Sequence, residues 1–326
     1  MRSKAAERER LEHEESACRL RELVGLLRSA VPVDGRVVPI AGVHLNRSSR
    51  PTAGVHVVYE PSLHVVVQGR KRLTVGDETY SYEPGECLVT SVPLPVASEV
   101  LEASPSQPYL CIGVELEPAL VAGMLLEVAA DGGVSVVDRR SPVRAIEVSG
   151  IDAELLDAVL RLVKLAATPN HARVLAPLVK REIVYRLLLG EHASRLAALA
   201  ASGGQAFRIS KAISRLRSDF DQALRIEGLA REVGMSVSAF HHTFRTVTGL
   251  SPLQFQKRLR LQQARQILLA ESVDASTVAT RVGYNDISQF NREYRRAFGA
   301  PPIRDVARIR AGLGSERAKA IASAAP

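Results

Sequence analysis

The sequence predicts an α+β protein: a β-sandwich or small β-barrel with flanking helices, followed by an all-α domain. Hydrophobic residues alternate with period two between residues 37 and 116, and a helical period appears on both sides of that stretch. Residues 229–302 contain two copies of one sequence motif. The expected parts are an N-terminal helix, a β domain with trailing helices, an α domain and a flexible tail: 1–35, 36–202, 203–310 and 311–326.

Residues 5–29 are expected to form a charged helix with a sparse apolar side. That side consists of Leu11, Cys18, Leu23, Leu26 and Leu27. Such a helix can pack on the β domain or pair with a second protomer, and the sequence does not choose between them. No segment resembles a signal peptide or a membrane span, and the 3 cysteines are scattered. A cytoplasmic protein with no membrane partner is therefore expected.

The alternating stretch predicts short strands separated by turns. Gly76-Asp77 and Pro84-Gly85 mark two of these turns, and Gly69 interrupts another run. A barrel of this size could enclose a small ligand. The candidate lining residues are Tyr59, His64, Gln68 and Cys87. Alternation by itself leaves open which of them face inward.

Helical periodicity returns after the β domain in two apolar segments. Ala153–Ala167 and Ala172–Leu189 each carry apolar residues at helical spacing; in the second these are Leu175, Leu178, Val179, Ile183, Leu187 and Leu188. Both are too apolar to stand alone, and packing onto the β domain is one of two alternatives left open; the other is pairing with a second protomer. Ser202-Gly203-Gly204 is the expected hinge into the C-terminal domain.

Each copy of the repeat predicts a helix, a tight turn and a second helix. The copies are offset by 49 residues up to Gly283 and by 50 from Phe290 onward. Gly234 and Gly283 suit the turns because glycine adopts a positive φ without strain. Either Ser236 or Ser238 can cap the second helix of the first copy, and Asn285 or Asp286 that of the second. The buried stripes are expected at Phe240, Phe244, Val247, Phe290, Tyr294 and Phe298.

The opposite faces of these second helices carry polar side chains at the same helical spacing. They are Ser238, His241, His242 and Arg245 in the first copy, and Ser288, Asn291, Arg292 and Arg295 in the second. These residue types supply the donors and acceptors that major-groove readout needs. A solvated helix face is the alternative for one such helix, but two matching faces favour DNA. Charge agrees, since residues 205–326 hold 20 Lys and Arg against 10 Asp and Glu, whereas the rest holds 23 against 25.

The segment between the copies predicts a connecting helix over Ser251–Ala270, with Pro252 in its first turn. Its apolar side is expected at Leu253, Phe255, Leu259, Leu261, Ala264, Ile267 and Leu268. A helix of this length is about 28 Å long at ~1.5 Å per residue. Recognition helices in successive major grooves lie roughly 34 Å apart. The connector is therefore of the right order to hold two recognition helices one DNA turn apart.

The C-terminal motifs resemble those of the AraC/XylS-type transcriptional regulators. The resemblance rests on Gly234-Met235-Ser236, Thr248-Gly249-x-Ser251-Pro252, Val282-Gly283-Tyr284, Arg292-Glu293-Tyr294-Arg295-Arg296 and Phe298-Gly299. It implies a seven-helix module with two recognition helices. By the same resemblance, the base-facing residues are Ser238, His241, His242, Ser288, Asn291 and Arg292, and the phosphate contacts are Arg245 and Arg295. It further implies RNA polymerase and double-stranded promoter DNA as partners.

Motifs in the β domain are similar to one N-terminal domain type of these regulators. They include Tyr59-x-Pro61-Ser62-Leu63, Val67-Gln68-Gly69-x-Lys71 and Pro108-Tyr109-Leu110. The resemblance implies a cupin-like β-barrel and trailing helices that can form a homodimer. An unknown small-molecule effector is the expected ligand. One alternative is a regulator whose barrel only dimerises; another is a metal-dependent cupin enzyme with an appended helix-turn-helix module.

The sequence offers little support for the enzyme alternative. His44, His56 and His64 do not form the closely spaced arrangement that puts three ligands on one metal. No phosphate-binding loop, nucleophile elbow or Cys-x-x-Cys pair is present. Cys87 and Cys111 fit buried strand positions better than redox sensors. The expectation is a DNA-binding regulator with no catalytic residues, no metal and no cofactor.

Overall fold

The structure is a computed structural model that describes residues 2–130, 144–200 and 205–313. The chain divides into two compact units: Met1–Ser210 with His242–Gly249, and Lys211–His241 with Leu250–Pro326. Each unit contains an apolar core of its own. The expected hinge at Ser202-Gly203-Gly204 lies outside the described residues.

Strands in the described part of the first unit form two antiparallel sheets, as the alternation predicts. The six-stranded sheet has the order β1-β2-β9-β4-β7-β10 and the four-stranded sheet the order β3-β8-β5-β6. The strands are β1 (Gly35–Ile40), β2 (Val43–Ser48), β3 (Val55–Tyr59), β4 (Ser62–Gln68), β5 (Arg70–Val75), β6 (Glu78–Tyr82), β7 (Glu86–Thr90), β8 (Leu94–Glu102), β9 (Tyr109–Glu115) and β10 (Ile146–Gly150). The predicted α+β class, with a β domain preceding a helical domain, is confirmed.

Helices cover the outer face of the six-stranded sheet. Leu63, Val65 and Val67 of β4 belong to one core cluster with residues from five helices, including Leu27 and Leu156. Because strand side chains alternate, Ser62, His64 and Val66 face the four-stranded sheet instead. The helices of this unit are α1 (Arg2–Ala30), α2 (Pro118–Ala130), α3 (Ala153–Lys164), α4 (Pro169–Leu189) and α5 (Ala193–Ala200).

The structure resolves the open question about the first helix. Leu23, Leu27 and Val31 are buried against the sheet, so this part of α1 packs on the β domain. Cys18 is exposed, which corrects its assignment to the apolar side. Five residues before Leu23, at ~100° per residue, it points well away from the buried stripe. The side chain of Leu11 lies outside the described residues.

Helix α4 also differs from its prediction. Its buried stripe runs through Ala172, Ala176, Val179 and Ile183, which follow one another at spacings of three and four. Leu175 and Leu178 fall between these positions and are 43% and 60% exposed. Both are among the apolar residues named for this helix, but a list of apolar residues does not by itself fix which face of the helix is buried.

Helix α2 and strand β10 are among the elements that were not predicted. Helix α2 reads PALVAGMLLEVAA, which is almost uniformly apolar and so gives no period. Strand β10 has only 5 residues, but it completes the six-stranded sheet by pairing with β7. Within the described ranges, no helix combines the length and the apolar character needed to cross a membrane.

Seven helices occupy residues 205–313, which confirms the predicted seven-helix module. They are α6 (Gln205–Ser218), α7 (Ile226–Glu232), α8 (Val237–Thr248), α9 (Pro252–Ala270), α10 (Ala275–Arg281), α11 (Ile287–Phe298) and α12 (Pro302–Leu313). Helix α12 extends into the segment expected to be a tail from residue 311; the rest of that segment lies outside the described residues. Leu253 is 52% exposed and not on the apolar side of α9, because it lies about 200° around the helix from the buried Phe255.

A buried carboxylate joins three helices of the second unit. Asp305 of α12 has no exposed surface, and Arg265 of α9 donates to both of its oxygens at 2.8 and 3.0 Å. The hydroxyl of Tyr294 in α11 donates to the same carboxylate at 3.1 Å. Around this group lies an apolar cluster formed by α9, α10, α11 and α12.

Candidate nucleic-acid interface

The first helix-turn-helix unit is formed by α7 and α8. Helix α7 ends at Glu232, and Gly234 follows with φ +66°, the left-handed conformation that the sequence predicts. The Ser236 hydroxyl accepts a hydrogen bond from Ala239 N at 3.2 Å. Of the two predicted capping serines, Ser236 is therefore the one that caps α8.

The second helix-turn-helix unit, formed by α10 and α11, repeats this arrangement, and here both helices are capped by aspartate side chains. Asp274 Oδ1 accepts from Thr277 N at 2.8 Å at the start of α10, and Asp286 Oδ1 accepts from Ser288 N at 2.7 Å at the start of α11. Asp286, not Asn285, is the cap. Gly283 has φ +85° in the turn, and Gly299 ends α11 with φ +77°.

The two second helices, α8 and α11, bury one face and expose the other. Phe240, Phe244, Phe290 and Tyr294 have no exposed surface. All eight residues predicted to contact DNA are exposed: Ser238, His241, His242, Arg245, Ser288, Asn291, Arg292 and Arg295. The predicted division into buried and exposed faces is confirmed, whereas contact of these residues with DNA stays a prediction.

The carboxylate of Glu293, beside the exposed face of α11, accepts hydrogen bonds from neighbouring side chains. Glu293 accepts hydrogen bonds from Lys257 Nζ at 2.7 Å, from the Tyr284 hydroxyl at 2.8 Å and from Gln289 Nε2 at 3.1 Å. Burial raises the pKa of Glu293, but these hydrogen bonds lower it further than burial raises it. The ionised carboxylate is thus partly neutralised by Lys257, which reduces its repulsion of an approaching phosphate.

Arg260, which no sequence pattern singles out, fixes the turn of the second helix-turn-helix unit. Arg260 of α9 donates to the carbonyl oxygens of Phe220 at 2.6 Å, Gly283 at 2.7 Å and Gln222 at 2.8 Å. It also stacks near the Tyr284 ring, 5.8 Å from the centroid. The guanidinium thereby joins α9, the segment before α7 and the turn before α11. No periodicity argument identifies such a role, because it depends on carbonyls 20 to 40 residues away.

The candidate effector residues separate into two groups. The rings of Tyr59 and His64 stack at 4.6 Å between the two sheets. Gln68 does not join them, because a bulge after Val66 shifts the register; Gln68 Nε2 donates to Pro108 O, and its Oε1 accepts from Arg28. The structure thus brings together only part of the predicted lining.

Cys87 lies on the other face of the six-stranded sheet, in the core beneath the helices. Its pairing with Val65 places it on the side of β4 opposite His64. Burial raises the pKa of the Cys87 thiol to about 11. A thiol with that pKa is protonated at neutral pH, which is unfavourable for redox reactivity. Cys87 is therefore not a lining residue of the space between the sheets.

Next to Cys87, a row of polar side chains fastens α5 to β10. His192 is 4% exposed, and its Nε2 lies 2.9 Å from the Ser149 hydroxyl. Its Nδ1 lies 3.3 Å from Glu147, which also pairs with Arg195. Burial lowers the pKa of His192. Among the described residues, no group of three or more His, Cys, Asp or Glu side chains is arranged to hold a metal ion.

Two family models match the chain in order. Residues 39–195 match the model described as the AraC-type transcriptional regulator N-terminus. Residues 229–307 match the model of a helix-turn-helix domain. Their junction falls between the β domain with its trailing helices and the two helix-turn-helix units.

Similar proteins are transcription activators by name. The HTH-type transcriptional activator RhaS of Escherichia fergusonii is 28% identical over 153 residues, which are 47% of this chain and 54% of RhaS. The virulence regulon transcriptional activator VirF of Yersinia enterocolitica is 23% identical over 245 residues, covering 74% of this chain and 88% of VirF. The chain thus spans about half the length of RhaS and most of VirF.

A similar fold occurs in ToxT of Vibrio cholerae. The structure of ToxT bound to (E)-4-(8-methylnaphthalen-1-yl)but-3-enoic acid has a TM-score of 0.55 and 9% identity, and the match covers 81% of this chain and 97% of that one. At this identity the similarity shows the shared fold.

The two turn glycines predict different sensitivities to substitution. A Cβ at Gly283 would overlap the carbonyl of Asp221 and lie 2.9 Å from Arg260 Cζ, whereas a Cβ at Gly234 meets no atom within 4 Å. We expect Gly234→Ala to cost about 1–2 kcal/mol, from the positive φ alone, and Gly283→Ala to cost more. Denaturant unfolding of both variants measures this difference. Equal losses would show that the close approach at Gly283 carries no energy.

Proposed function

Because the chain belongs to the AraC-type transcriptional regulators, we propose that it binds promoter DNA through α8 and α11 under the control of a small-molecule effector. The observation that carries this proposal is the pair of exposed polar faces on these two helices. Each follows a glycine turn and a side-chain cap, and each displays a serine, a histidine or asparagine, and an arginine. Two such faces in one chain suit two successive major grooves.

The proposed contacts fall into two classes. Ser238, His241 and His242 of α8 read base edges in one groove, and Ser288, Asn291 and Arg292 of α11 read the next. Arg245 and Arg295, about one turn further along each helix, contact phosphate. The excess of Lys and Arg after residue 205 supplies the counterion-releasing surface that favours DNA.

Activation of transcription is the proposed outcome of DNA binding. The similar proteins RhaS and VirF are both described as activators. An activator bound at a promoter contacts RNA polymerase, which is the second proposed partner. Both proposed partners are found in the bacterial cytoplasm, which is the proposed location of the protein. The effector is proposed to bind in the N-terminal domain, between its two sheets. The bound carboxylic acid in ToxT supports a small-molecule effector here.

The proposed function is tested by selecting bound duplexes from a random DNA pool with the purified full-length protein at moderate salt. We expect enrichment of two short sub-motifs about 10 bp apart, because one chain presents two recognition helices. Enrichment of a single sub-motif would mean that only one helix reads bases. Enrichment of none, in the presence and absence of candidate effectors, would contradict DNA reading by this chain.

Arg292 and Arg295 give a matched pair of substitutions. Arg292→Ala is expected to weaken the best site by about 1–3 kcal/mol and to relax the preference at one base position, because its bidentate contact with a base is lost. Arg295→Ala is expected to weaken all duplexes by a similar factor and to reduce the salt dependence by about one unit of slope. Binding titrations on the selected site and on single-base variants measure both. The assignment is wrong if Arg292→Ala weakens every sequence equally.

A homodimer is proposed on the basis of the exposed side of α4. Large apolar side chains there, 42–63% exposed, are Val174, Leu175, Leu178, Tyr185 and Leu189. Val174, Leu178, Tyr185 and Leu189 follow at spacings of four and seven, so they form one stripe along the helix. A second copy of the same helix can cover such a stripe symmetrically.

Leu178→Glu is expected to convert the dimer to a monomer without unfolding it, because the side chain is 60% exposed and the new carboxylate would be buried only in the dimer. Sedimentation equilibrium measures the mass, and circular dichroism checks the fold. Leu126→Glu on α2, where Leu126 is 74% exposed, is the matched control and should leave the mass unchanged. A dimer that persists in Leu178→Glu would exclude this stripe as the interface.

A further inference from the structure

A lysine lies between the two sheets of the N-terminal domain. Lys71 of β5 is paired with Tyr82 of β6, so both side chains are on the inner face of the four-stranded sheet. The Lys71 Nζ atom is 5.5 Å from the centroid of the Tyr59 ring and 5.4 Å from that of the Tyr109 ring. Tyr109 belongs to the opposite, six-stranded sheet, so the ammonium lies in the space between the sheets.

The charge of Lys71 is uncompensated. In the parts of the chain that the structure describes, no carboxylate lies within ion-pair distance of its Nζ; the groups that attract it are the rings of Tyr59 and Tyr109 and the polar atoms of Tyr59 and Cys111. Lys180, the other lysine with little exposure, donates to the carbonyl of Ala41 and has Glu117 within 4.0 Å. An ammonium removed from water ordinarily has such an anionic or carbonyl partner. Lys71 therefore lacks the carbonyl and carboxylate partners that Lys180 has.

Polar atoms around Lys71 also lack partners. Tyr82 and Tyr109 are 1% and 2% exposed, yet within the described residues neither hydroxyl, nor His64 Nδ1, has a partner of good hydrogen-bond geometry; the hydroxyls interact electrostatically with each other and with Tyr59 and Cys111. Buried polar groups nearly always have a hydrogen-bond partner. Burial raises the pKa of both tyrosines well above the ordinary value, so both hydroxyls remain donors. Two hydroxyl donors and one ammonium thus surround the same space.

Three polar side chains between the two sheets are only partly buried. Tyr59, His64 and Lys71 all face inward, and all retain part of their accessible surface. Gly113 lies directly across from His64 in the six-stranded sheet. A Cβ there would lie 3.2 Å from His64 Cε1, so the absence of a side chain at Gly113 leaves room for the imidazole.

We propose that this space binds a small organic monocarboxylate, with its carboxylate held by Lys71 Nζ and the hydroxyls of Tyr82 and Tyr109. The apolar part of the ligand lies against the ring of Tyr59. One uncompensated ammonium and neutral donors match a single negative charge and leave a phosphate dianion undercompensated. The proposal rests on the effector control proposed above and specifies the chemical class of the effector.

The charge state of Lys71 agrees with this role. Burial lowers the pKa of the amine, but the Tyr59 hydroxyl and the Cys111 thiol raise it by more, so that the pKa lies above its ordinary value. The amine is charged at neutral pH. The nearby guanidinium of Arg36 interacts with Glu115, which also lies 2.6 Å from His44 Nε2. Lys71 is therefore the cation available to an incoming anion.

The test uses purified full-length protein in a buffer free of carboxylates and measures thermal shifts and calorimetric binding. The probes are benzoate, cinnamate and octanoate, each compared with its primary amide, and inorganic phosphate. We expect at least one acid to raise the melting temperature, with its amide and phosphate having no effect. Lys71→Met should remove this response. Tyr82→Phe and Tyr109→Phe should each weaken binding by about tenfold or more.

Two controls separate a binding role from a structural one. Lys71→Met is expected to fold and to melt no lower than the wild type without ligand, because an apolar side chain of similar length replaces an unpaired charge. Lys164→Met removes an exposed lysine that pairs with Glu22 and should leave acid binding unchanged. The proposal is wrong if no acid stabilises the wild type more than Lys71→Met, or if acid and amide bind equally.

DNA binding measured on the same samples distinguishes this inference from the proposed function. Acid binding that leaves DNA binding and transcription unchanged would confirm the site and contradict effector control through it. Selective DNA binding without any Lys71-dependent response to the acids would leave the regulator function standing and overturn the carboxylate site.

Discussion

The buried ion pair of Arg265 and Asp305 is the constraint on which the second helix-turn-helix unit depends. A carboxylate with no exposed surface costs several kcal/mol unless it is paired and hydrogen-bonded. Asp305 meets this requirement only when α9, α11 and α12 are all in place, because Arg265, Tyr294 and Asp305 belong to different helices. Rotating α11 about its axis would break the bond from Tyr294 and leave its hydroxyl unpaired.

The orientation of the exposed face of α11 follows from this constraint. Tyr294 and Phe290 point inward, so Asn291, Arg292 and Arg295 must point outward. Arg260 adds a second restraint by binding the carbonyl of Gly283 in the turn that precedes α11. The side chains proposed to read DNA are thus carried on a helix whose rotation and entry are both fixed, which lowers the entropic cost of binding.

The two domains differ in how completely their buried polar groups are satisfied. In the second compact unit of the chain, Asp305, Arg260 and Glu293 each make several hydrogen bonds. Between the sheets of the first unit, Lys71 and the hydroxyls of Tyr82 and Tyr109 are near one another, yet the described residues provide no anion for them. Buried polar groups that all have hydrogen-bond partners make a structure rigid. Buried polar groups without partners indicate a place where a ligand can supply the missing hydrogen bonds or charge.

The sequence by itself determined the order of the domains, the five helices α7 to α11, the glycine turns and the exposed residues of α8 and α11. These features are local: period 3.6 decides which face of a helix is apolar, and a cap or a turn lies within a few residues of its helix. Only the tertiary structure decided the capping choice between Asn285 and Asp286, the bulge that turns Gln68 away from His64, and the position of Cys87 beneath the helices. It also brought Lys71 to Tyr109 and Arg265 to Asp305. Such groups are 38 to 40 residues apart in the chain and meet only through strand register and helix packing, which period alone does not encode.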